Sequence, residues 1–586
     1  MLYSICCVYS KQSIKIRGKY DPPNLEGRST IQEVNMERTF RTHEVRQQQE
    51  LEGLWDFWTK EDRSDLQKMM VPGVWETCPG YENYRGTGFF ETTFEGEGDY
   101  RLVFKGVSHT GTVFVDGERI GSHYNAYTPW DVTVRGLEPG RHTLRVEVCN
   151  AFHSESALHV PNDYYTYGGI NRPVILEKIG SAFLRSVHVT TVKGESGWRA
   201  AARIRIESAV EGERVNLRAG ICGEEAVTQL LELKKGLQEV ELSLPCESPR
   251  EYTPADPALQ TVTAQLLTGE RVLDDLTDRF GFREISVREG KVYFNGEEIR
   301  IRGFNRHEDH GLFGCAIPLQ AMEYDLQLVK DLKGNAIRTC HYPNDERFLD
   351  LCDEQGILVW EESHARGLNE EQMAHKNFRS QSNDCIREMI GTHYNHPCIF
   401  TWGILNECAS FSEFGREIYR EQFELIKSLD GTRPTTFASC HFRTDICLDL
   451  PDIVSMNIYP LWYFDTPAAD HLKEVKEWIA TTEGRGKPLI ISEIGAGAIP
   501  GWHAPGDPKW SEERQAAILR EQLRAVLEDS AVTGVFIWQF ADGRVGDENF
   551  YGRPRCMNNK GIVDELRRRK LSYGTVKEIY GQWGAN

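Results

Sequence analysis

The 586-residue chain has no C-x-x-C pair, no N-x-S/T sequon, and no apolar run approaching the roughly 18–20 residues of a membrane span. Its 15 cysteines are scattered singly, apart from Cys6-Cys7. That pattern argues against a zinc ribbon and a disulfide scaffold, and fits a reducing cytoplasm. The missing sequon favours a non-glycosylated, bacterial setting. The opening "MLYSICCVYS" lacks a basic segment before it and a small-residue cleavage site after it, so it does not read as a signal peptide. Met36 reads as an alternative start, with residues 1–35 an extension outside the folded body. Basic charge is also short: Lys and Arg number 68 against 88 Asp and Glu, a formal net charge of −20. Such a surface repels phosphate backbones, which argues against nucleic acid as a partner. One local Lys or Arg can still hold a small anion. With 40% hydrophobic and 27% charged residues the composition is that of a globular protein, of three or four domains at this length.

Two textures divide the sequence. From about Leu51 to about Val287, short alternating segments are broken by turn residues. In "GTVFVDGERIGSH" Val113 and Val115 alternate with Thr112 and Phe114, and Asp116-Gly117 is the preferred type I′ pair. "HTLRVEVCN", "RAAARIRIESAV" and "QEVELSLP" repeat the period of two, which means β-sandwiches. After "KVYFNGEEIRIRGFNRHEDH" strands alternate with amphipathic stretches. Strand cores read as 300–305, 334–341, 356–362, 399–407, 434–439, 453–459, 489–493 and 534–541. Ser412 to Leu429 places Phe414, Ile418, Leu425 and Leu429 on one helix face, with Ser412 as N-cap. Eight such units are the count for a (β/α)₈ barrel, whose active sites stand at the C-terminal ends of the strands.

Those ends carry Asn305-Arg306-His307-Glu308, His341-Tyr342, Glu361-Glu362, Asn406-Glu407, Ser439, Asn457 and Tyr459, Glu493, and Trp538 with Asp542. Lysine is absent from them. Amides and carboxylates bond hydroxyls and aromatics stack on C–H faces, so the rim suits a polyhydroxylated ring. "TWGILNECAS" is the sharpest case, an apolar strand that runs directly into a charge. Glu407 is either a strand surfacing into water or a carboxyl held over a substrate. Glu493 on the seventh strand faces it across the mouth, and two carboxyls about 5–5.5 Å apart serve a retaining glycosidase.

Several segments together carry a resemblance: "YYTYGGINRPVIL", "FNRHEDH", "IRTCHYPND", "NHPCIFTWGILNE" and "KPLIISEIGA". With them the chain after Met36 resembles a family-2 glycoside hydrolase. Through "DIVSMNIYPLWY" and "NNKG" it is most similar to the bacterial β-glucuronidases. The resemblance implies a jelly-roll-like, sugar-binding sandwich over 36–180, an immunoglobulin-like sandwich over 181–286 and a catalytic TIM barrel over 287–586. It implies a retaining exo-β-glucuronidase, with a β-galacturonidase or β-galactosidase as the alternative on the same scaffold. Glu493 would be the nucleophile and Glu407 the acid/base, its pKa raised partly by the charge of Glu493. Asn406 would meet the 2-hydroxyl, Tyr459 hold Glu493, Trp538 form a floor and His341 contact a hydroxyl. Asn457 and Tyr463 would line the substrate site. Asp163 would reach the 4-hydroxyl, while Asn558 and Lys560 would clamp a C6 carboxylate, which suits a uronate better than CH₂OH. Glu362 and Arg555 would support them.

Departures from the family pattern bear on the sugar. Where glucuronidases often place Arg, this chain has Pro554 between Arg553 and Arg555, and Ile458 and Pro460-Leu461 replace more polar or aromatic residues. Both changes point toward a galacturonide. "NNKG" can also be read as a polar turn. The short connection from Glu362 to Asn377 implies an open mouth that admits bulky or oligosaccharide leaving groups. No cofactor or metal is expected, because adjacent residues in "RHEDH" point in opposite directions and H-E-x-x-H spacing is absent. Cys340 and Cys408 read as packing residues, Trp360 and Trp402 as core, and "ELRRRKL" as the solvated face of the final helix. The expected partners are small-molecule or oligosaccharide β-glycosides with a terminal uronate, together with further copies of the chain. A binding-module array with a dead barrel is disfavoured because both glutamates are present. An aldolase-like barrel would want a strand-end Lys.

Overall fold

The structure, a computed structural model, describes residues 37–546 and 552–583. The extension over 1–35 and the reading of Met36 as a start lie outside the described residues. Eight antiparallel strands between Gln48 and Lys178 form the first sheet, dominated by Thr87–Phe104 paired along Trp130–Cys149. The hairpin at Asp116-Gly117 has both central residues at positive φ, 50° and 86°, as a type I′ turn requires. Val113, Leu144, Val146 and Val148 point inward and pack with Trp55, Phe57, Trp75 and Phe90. A three-stranded and a four-stranded sheet between Ala182 and Phe280 then enclose a core of their own. The chain is therefore a multidomain β and α/β fold.

The barrel strands are β1 (Ile301–Asn305), β2 (Ala336–Thr339), β3 (Leu358–Glu362), β4 (Ile399–Ile404), β5 (Thr435–Ser439), β6 (Ile453–Asn457), β7 (Leu489–Ile494) and β8 (Val532–Ile537). They pair in parallel and close. A three-stranded sheet from Ile285 to Glu298 supplies Ile285, Val292 and Phe294 to a buried cluster that includes Ile301, Ala336 and Leu358, the first residues of β1, β2 and β3, and Phe536 of β8. The helix Glu413–Leu429 is capped by Ser412, whose Oγ accepts from the Gly415 N–H. Trp360 and Trp402 are fully buried, and Trp402 donates to Asp430 at 2.8 Å. Burial pushes the thiols of Cys340 and Cys408 up, away from the thiolate that a nucleophile needs.

Several expectations give way. β2 stops at Thr339, β4 at Ile404, β6 at Asn457 and β8 at Ile537, so His341, Glu407, Tyr459 and Trp538 stand beyond their strands. "ELRRRKL" is not a solvated helix face. The final helix begins at Leu571, and Arg567 and Lys570 are buried. Arg567 bonds Asp325 at 2.7 and 3.0 Å and Lys570 bonds Asp542 at 2.7 Å, because a buried cation is stable only with partners.

The first sandwich is bound to the mouth of the barrel. Tyr127 stacks on Tyr342 with ring centroids 3.7 Å apart, and Arg172 pairs with Glu308 at 2.6 Å. Tyr164 meets His364 at 2.8 Å, and Asn162 donates to the Arg366 carbonyl at 3.0 Å. These contacts bring the loop that carries Asp163 to the strand ends.

Candidate active site

Past Ile404 the backbone turns sharply: Leu405 has φ 45° and Glu407 φ 52°. Left-handed backbone at non-glycine residues costs about 1–3 kcal/mol each and persists only where neighbours enforce it. Here the Glu407 N–H donates to Ala438 O at 2.9 Å, Gly367 N–H to Asn406 O at 2.8 Å, and the Tyr419 hydroxyl to Leu405 O at 2.8 Å. The turn carries Asn406 and Glu407 over the barrel mouth instead of along the strand.

Two carboxylates, Glu407 and Glu493, line one cleft of about 320 Å³. Asn457 donates to Glu407 at 2.9 Å, and the Arg366 guanidinium stands 3.3 Å from the other oxygen of Glu407. Glu493 accepts from Arg338 at 3.1 Å and from the Tyr459 hydroxyl at 2.5 Å. Arg338 is fully buried and ties the floor together, donating also to both oxygens of Glu362, to Asn305 and to Asn406. The repulsion anticipated between the two carboxylates falls on Glu493: burial first, then the charge of Glu407, push it up to about 7, against Arg338 and Tyr459. One carboxyl held near neutrality opposite another, with amide and hydroxyl donors around them, suits proton transfer and nucleophilic attack at one carbon.

Each anticipated residue has a definite place. Asn406 Oδ1 is engaged by Arg338, while its buried Nδ2 has no acceptor among the described residues. His341 bonds Glu362 through Nδ1 at 2.8 Å, lies flat on Trp538 at 5.0 Å, and keeps a buried Nε2 without a partner there. Burial and then the charge of Arg338 hold His341 well below the ordinary histidine range. Tyr463 is exposed and packs edge-on to Tyr459. Asn558 donates to Asp163 at 3.1 Å. Lys560 Nζ lies 5.5 and 5.4 Å from the rings of Tyr459 and Tyr463 and is only 2% exposed.

Arg555 is the residue the structure sends elsewhere. At φ 65° its side chain turns to Asn559 and Glu565, while Arg553 enters the cleft and grips Asp163 with two donors. Three arginines escaped the sequence reading as site residues. Arg338 could have been suspected as a charge inside a buried strand. Arg366 and Arg553 lie on irregular segments and carry no such signal.

Residues of "RHEDH" disperse: His307 to Tyr342, Glu308 to Arg172, Asp309 to Tyr167, and His310 to the Leu312 N–H. His307, Cys340 and His341 bring donor atoms within 4.8 Å of one another. The cysteine stays a thiol and one nitrogen of His341 is engaged with Glu362, which makes a poor cation site.

A closed parallel barrel with paired carboxylates at its strand ends and a sugar-binding-type sandwich over its mouth defines a glycosidase. The family model described as glycosyl hydrolases family 2, TIM barrel domain, matches residues 285–583, and the family-2 galactose-binding domain-like model matches 81–198. The chain belongs to glycosyl hydrolase family 2. It is similar to a β-galacturonidase from Eisenbergiella tayi, solved bound to galacturonate: 52% identical, with 93% of this chain and 99% of that one covered and a TM-score of 0.91. It is also 27% identical to a β-glucuronidase of Paenibacillus borealis, over 92% of this chain and 98% of that protein. A β-glucuronidase of Streptococcus agalactiae is 26% identical, over 82% and 85%.

Proposed function

We propose that the protein is a retaining exo-β-uronidase whose preferred terminal sugar is β-D-galacturonate. The two carboxyls share one proton: with it on Glu407, Glu493 attacks the anomeric carbon while Glu407 protonates the departing oxygen. Water activated by Glu407 then hydrolyses the ester on Glu493 and regenerates both carboxyls. Once the ester forms, Glu493 no longer carries charge, and Glu407 is free to act as base. Asn406 Nδ2, unpartnered and buried, suits the 2-hydroxyl, and His341 Nε2 a further hydroxyl.

The observation that carries the uronate reading is Lys560. Arg338, Arg366 and Arg553 each have a carboxylate partner, whereas Lys560 has none among the described residues although its side chain is buried. A substrate carboxylate completes that pairing, and a neutral CH₂OH does not. The sequence reading put glucuronide first. The 52% likeness to a galacturonidase, against 26–27% to glucuronidases, moves galacturonide ahead. The two-donor hold of Arg553 on Asp163 also alters the group assigned to the 4-hydroxyl, the centre at which these sugars differ.

Initial rates on the p-nitrophenyl β-D-galacturonide, glucuronide and galactoside, with Glu493→Ala as blank, test this. Galacturonide ahead is expected. Glucuronide ahead refutes the epimer assignment alone, and galactoside ahead refutes the clamp. An α-configured first product, followed by proton NMR, would refute retention.

A further inference from the structure

We propose that Asn162, a residue of the first sandwich, is a positioning residue for the proton donor: its carboxamide fixes Arg366, and Arg366 fixes the plane of the Glu407 carboxyl. This rests on the glycosidase reading, with Glu407 as the acid, and gives the first sandwich a part in the acid step.

Asp163, Arg366 and Glu407 line the cleft. Asn162 does not; it is 6% exposed and bonds the first two. Its Nδ2 donates to the Arg366 carbonyl at 3.0 Å, and its Oδ1 accepts from the Arg366 guanidinium at 3.2 Å and from the Asp163 N–H at 2.8 Å. The two bonds to Arg366 join residues 204 positions apart, so they are not a local turn of the loop. A side chain of this size that both donates and accepts in one plane is a carboxamide. Buried as it is, each of these bonds leaves a polar group unsatisfied when broken.

Arg366 depends on such a hold. It lies past the end of β3, on backbone that is neither helix nor strand. Asn406 pins that backbone on one side, accepting from the Gly367 N–H at 2.8 Å, and Asn162 pins it on the other. A long side chain has many rotamers, and two partners at its head select one. One terminal nitrogen of the guanidinium meets Asn162, and the other stands 3.3 Å from Glu407 Oε2. Asn457 donates to Glu407 Oε1 at 2.9 Å, so each oxygen of the carboxyl has its own partner and its rotation is stopped. An acid works only within hydrogen-bond reach of the departing oxygen, and the plane of the carboxyl decides where its proton points.

The same amide also holds the Asp163 backbone, on the sugar side of the cleft. Leaving groups separate the two effects. p-Nitrophenolate departs with little help from an acid, whereas methoxide does not leave unprotonated. A fault on the sugar side slows both glycosides alike, and a fault in the acid slows the methyl glycoside more.

The test compares kcat/KM on p-nitrophenyl and methyl β-D-galacturonide in the wild type, Asn162→Ala and Arg366→Lys. Asn162→Ala should cost the methyl glycoside about 100-fold and the p-nitrophenyl glycoside about tenfold or less. A misfolded fraction lowers both rates equally, so the ratio reports positioning alone. Arg366→Lys keeps the charge but cannot serve the amide and the carboxylate through two nitrogens, and should show the same selective loss. An equal loss on the two glycosides, or none, in either variant overturns the inference and leaves the glycosidase reading intact. Where the wild type prefers another of the three sugars, the same two aglycones on that sugar run the test, so the epimer assignment can fail alone. A wild type that hydrolyses none of the three takes the glycosidase reading and the inference down together.

Discussion

Lys560 and Glu407 are the side chains on which the proposed chemistry of this cleft turns. A primary ammonium buried beside two tyrosine rings is held by cation–π attraction, which is worth less than the carboxylate partner it lacks among the described residues. Lys560→Met keeps the stem and removes the charge. Hydrogen bonds to charged groups contribute about 1.5–3 kcal/mol, so kcat/KM on a p-nitrophenyl uronide should fall about 10- to 100-fold. The ratio of uronide to galactoside rate should fall with it. An unchanged ratio would mean that Lys560 never meets the sugar acid. Glu407 makes the converse point. Its candidacy could be read in "TWGILNECAS", but the φ of 52° that swings it over the mouth could not. Nothing in the residue type announces it, since left-handed backbone is ordinarily signalled by Gly or Asn.

Elements were legible where periodicity was strong. The period of two through Val113, Val115, Leu144 and Val146 located the sandwich strands, and the alternation after residue 300 located the barrel. Their ends were less legible: β2, β4, β6 and β8 were each read as too long, because the apolar or aromatic residues that follow a strand pack just as strand residues do. Contacts made at long range were illegible altogether. Arg555 and Cys556 are both left-handed beside the arginine that enters the cleft, and the grip of Arg553 on Asp163 spans segments far apart in sequence. The junction between β4 and its helix illustrates what sets an element's end. A Cβ at Gly415 would stand 1.8 Å from Ala409 O, in the segment that follows Glu407. Gly415→Ala must therefore push that segment away. Overpacking of this kind costs about 1–3 kcal/mol, so Tm should drop by about 3 °C or more. A shift of the order of an ångström at Glu407 should lower kcat by about tenfold at least. Wild-type kcat at an unchanged Tm would show that the junction yields without moving the carboxyl.

The whole molecule holds many titratable groups out of water, and they pull stability in opposite directions. Burial pushes Glu76 up to about 8, Asp542 up to about 7 and Glu493 up to about 7. Such a carboxyl is protonated in the fold at a pH where the unfolded chain has already ionised. The folded state then binds more protons, and stability is lost as pH rises from the ordinary carboxylate value through the folded one. Buried histidines act with the other sign. Burial lowers His364 to about 3 and His188 to about 4, so the unfolded chain binds more protons below its ordinary value near 6.5. Their contribution is complete above that pH and is lost as pH falls toward the folded values. Salt-bridged carboxylates such as Glu346, lowered to about 2 by Lys105 and Arg38 against burial, add a further loss only below the ordinary carboxylate range. The two families oppose each other between about pH 4.5 and 6.5, the carboxyls act alone above that window and the histidines below it, so the maximum falls inside it. Thermal midpoints of the ligand-free enzyme, taken at one scan rate across pH 3.5 to 8.5 at constant ionic strength, should peak within that window and decline on both sides of it. Glu76→Gln removes one carboxyl from the alkaline side and should flatten the decline between about pH 6.5 and 8, leaving the acid limb in place. A midpoint that climbs steadily to pH 8.5 would mean that these carboxyls are ionised in the fold and hydrated there.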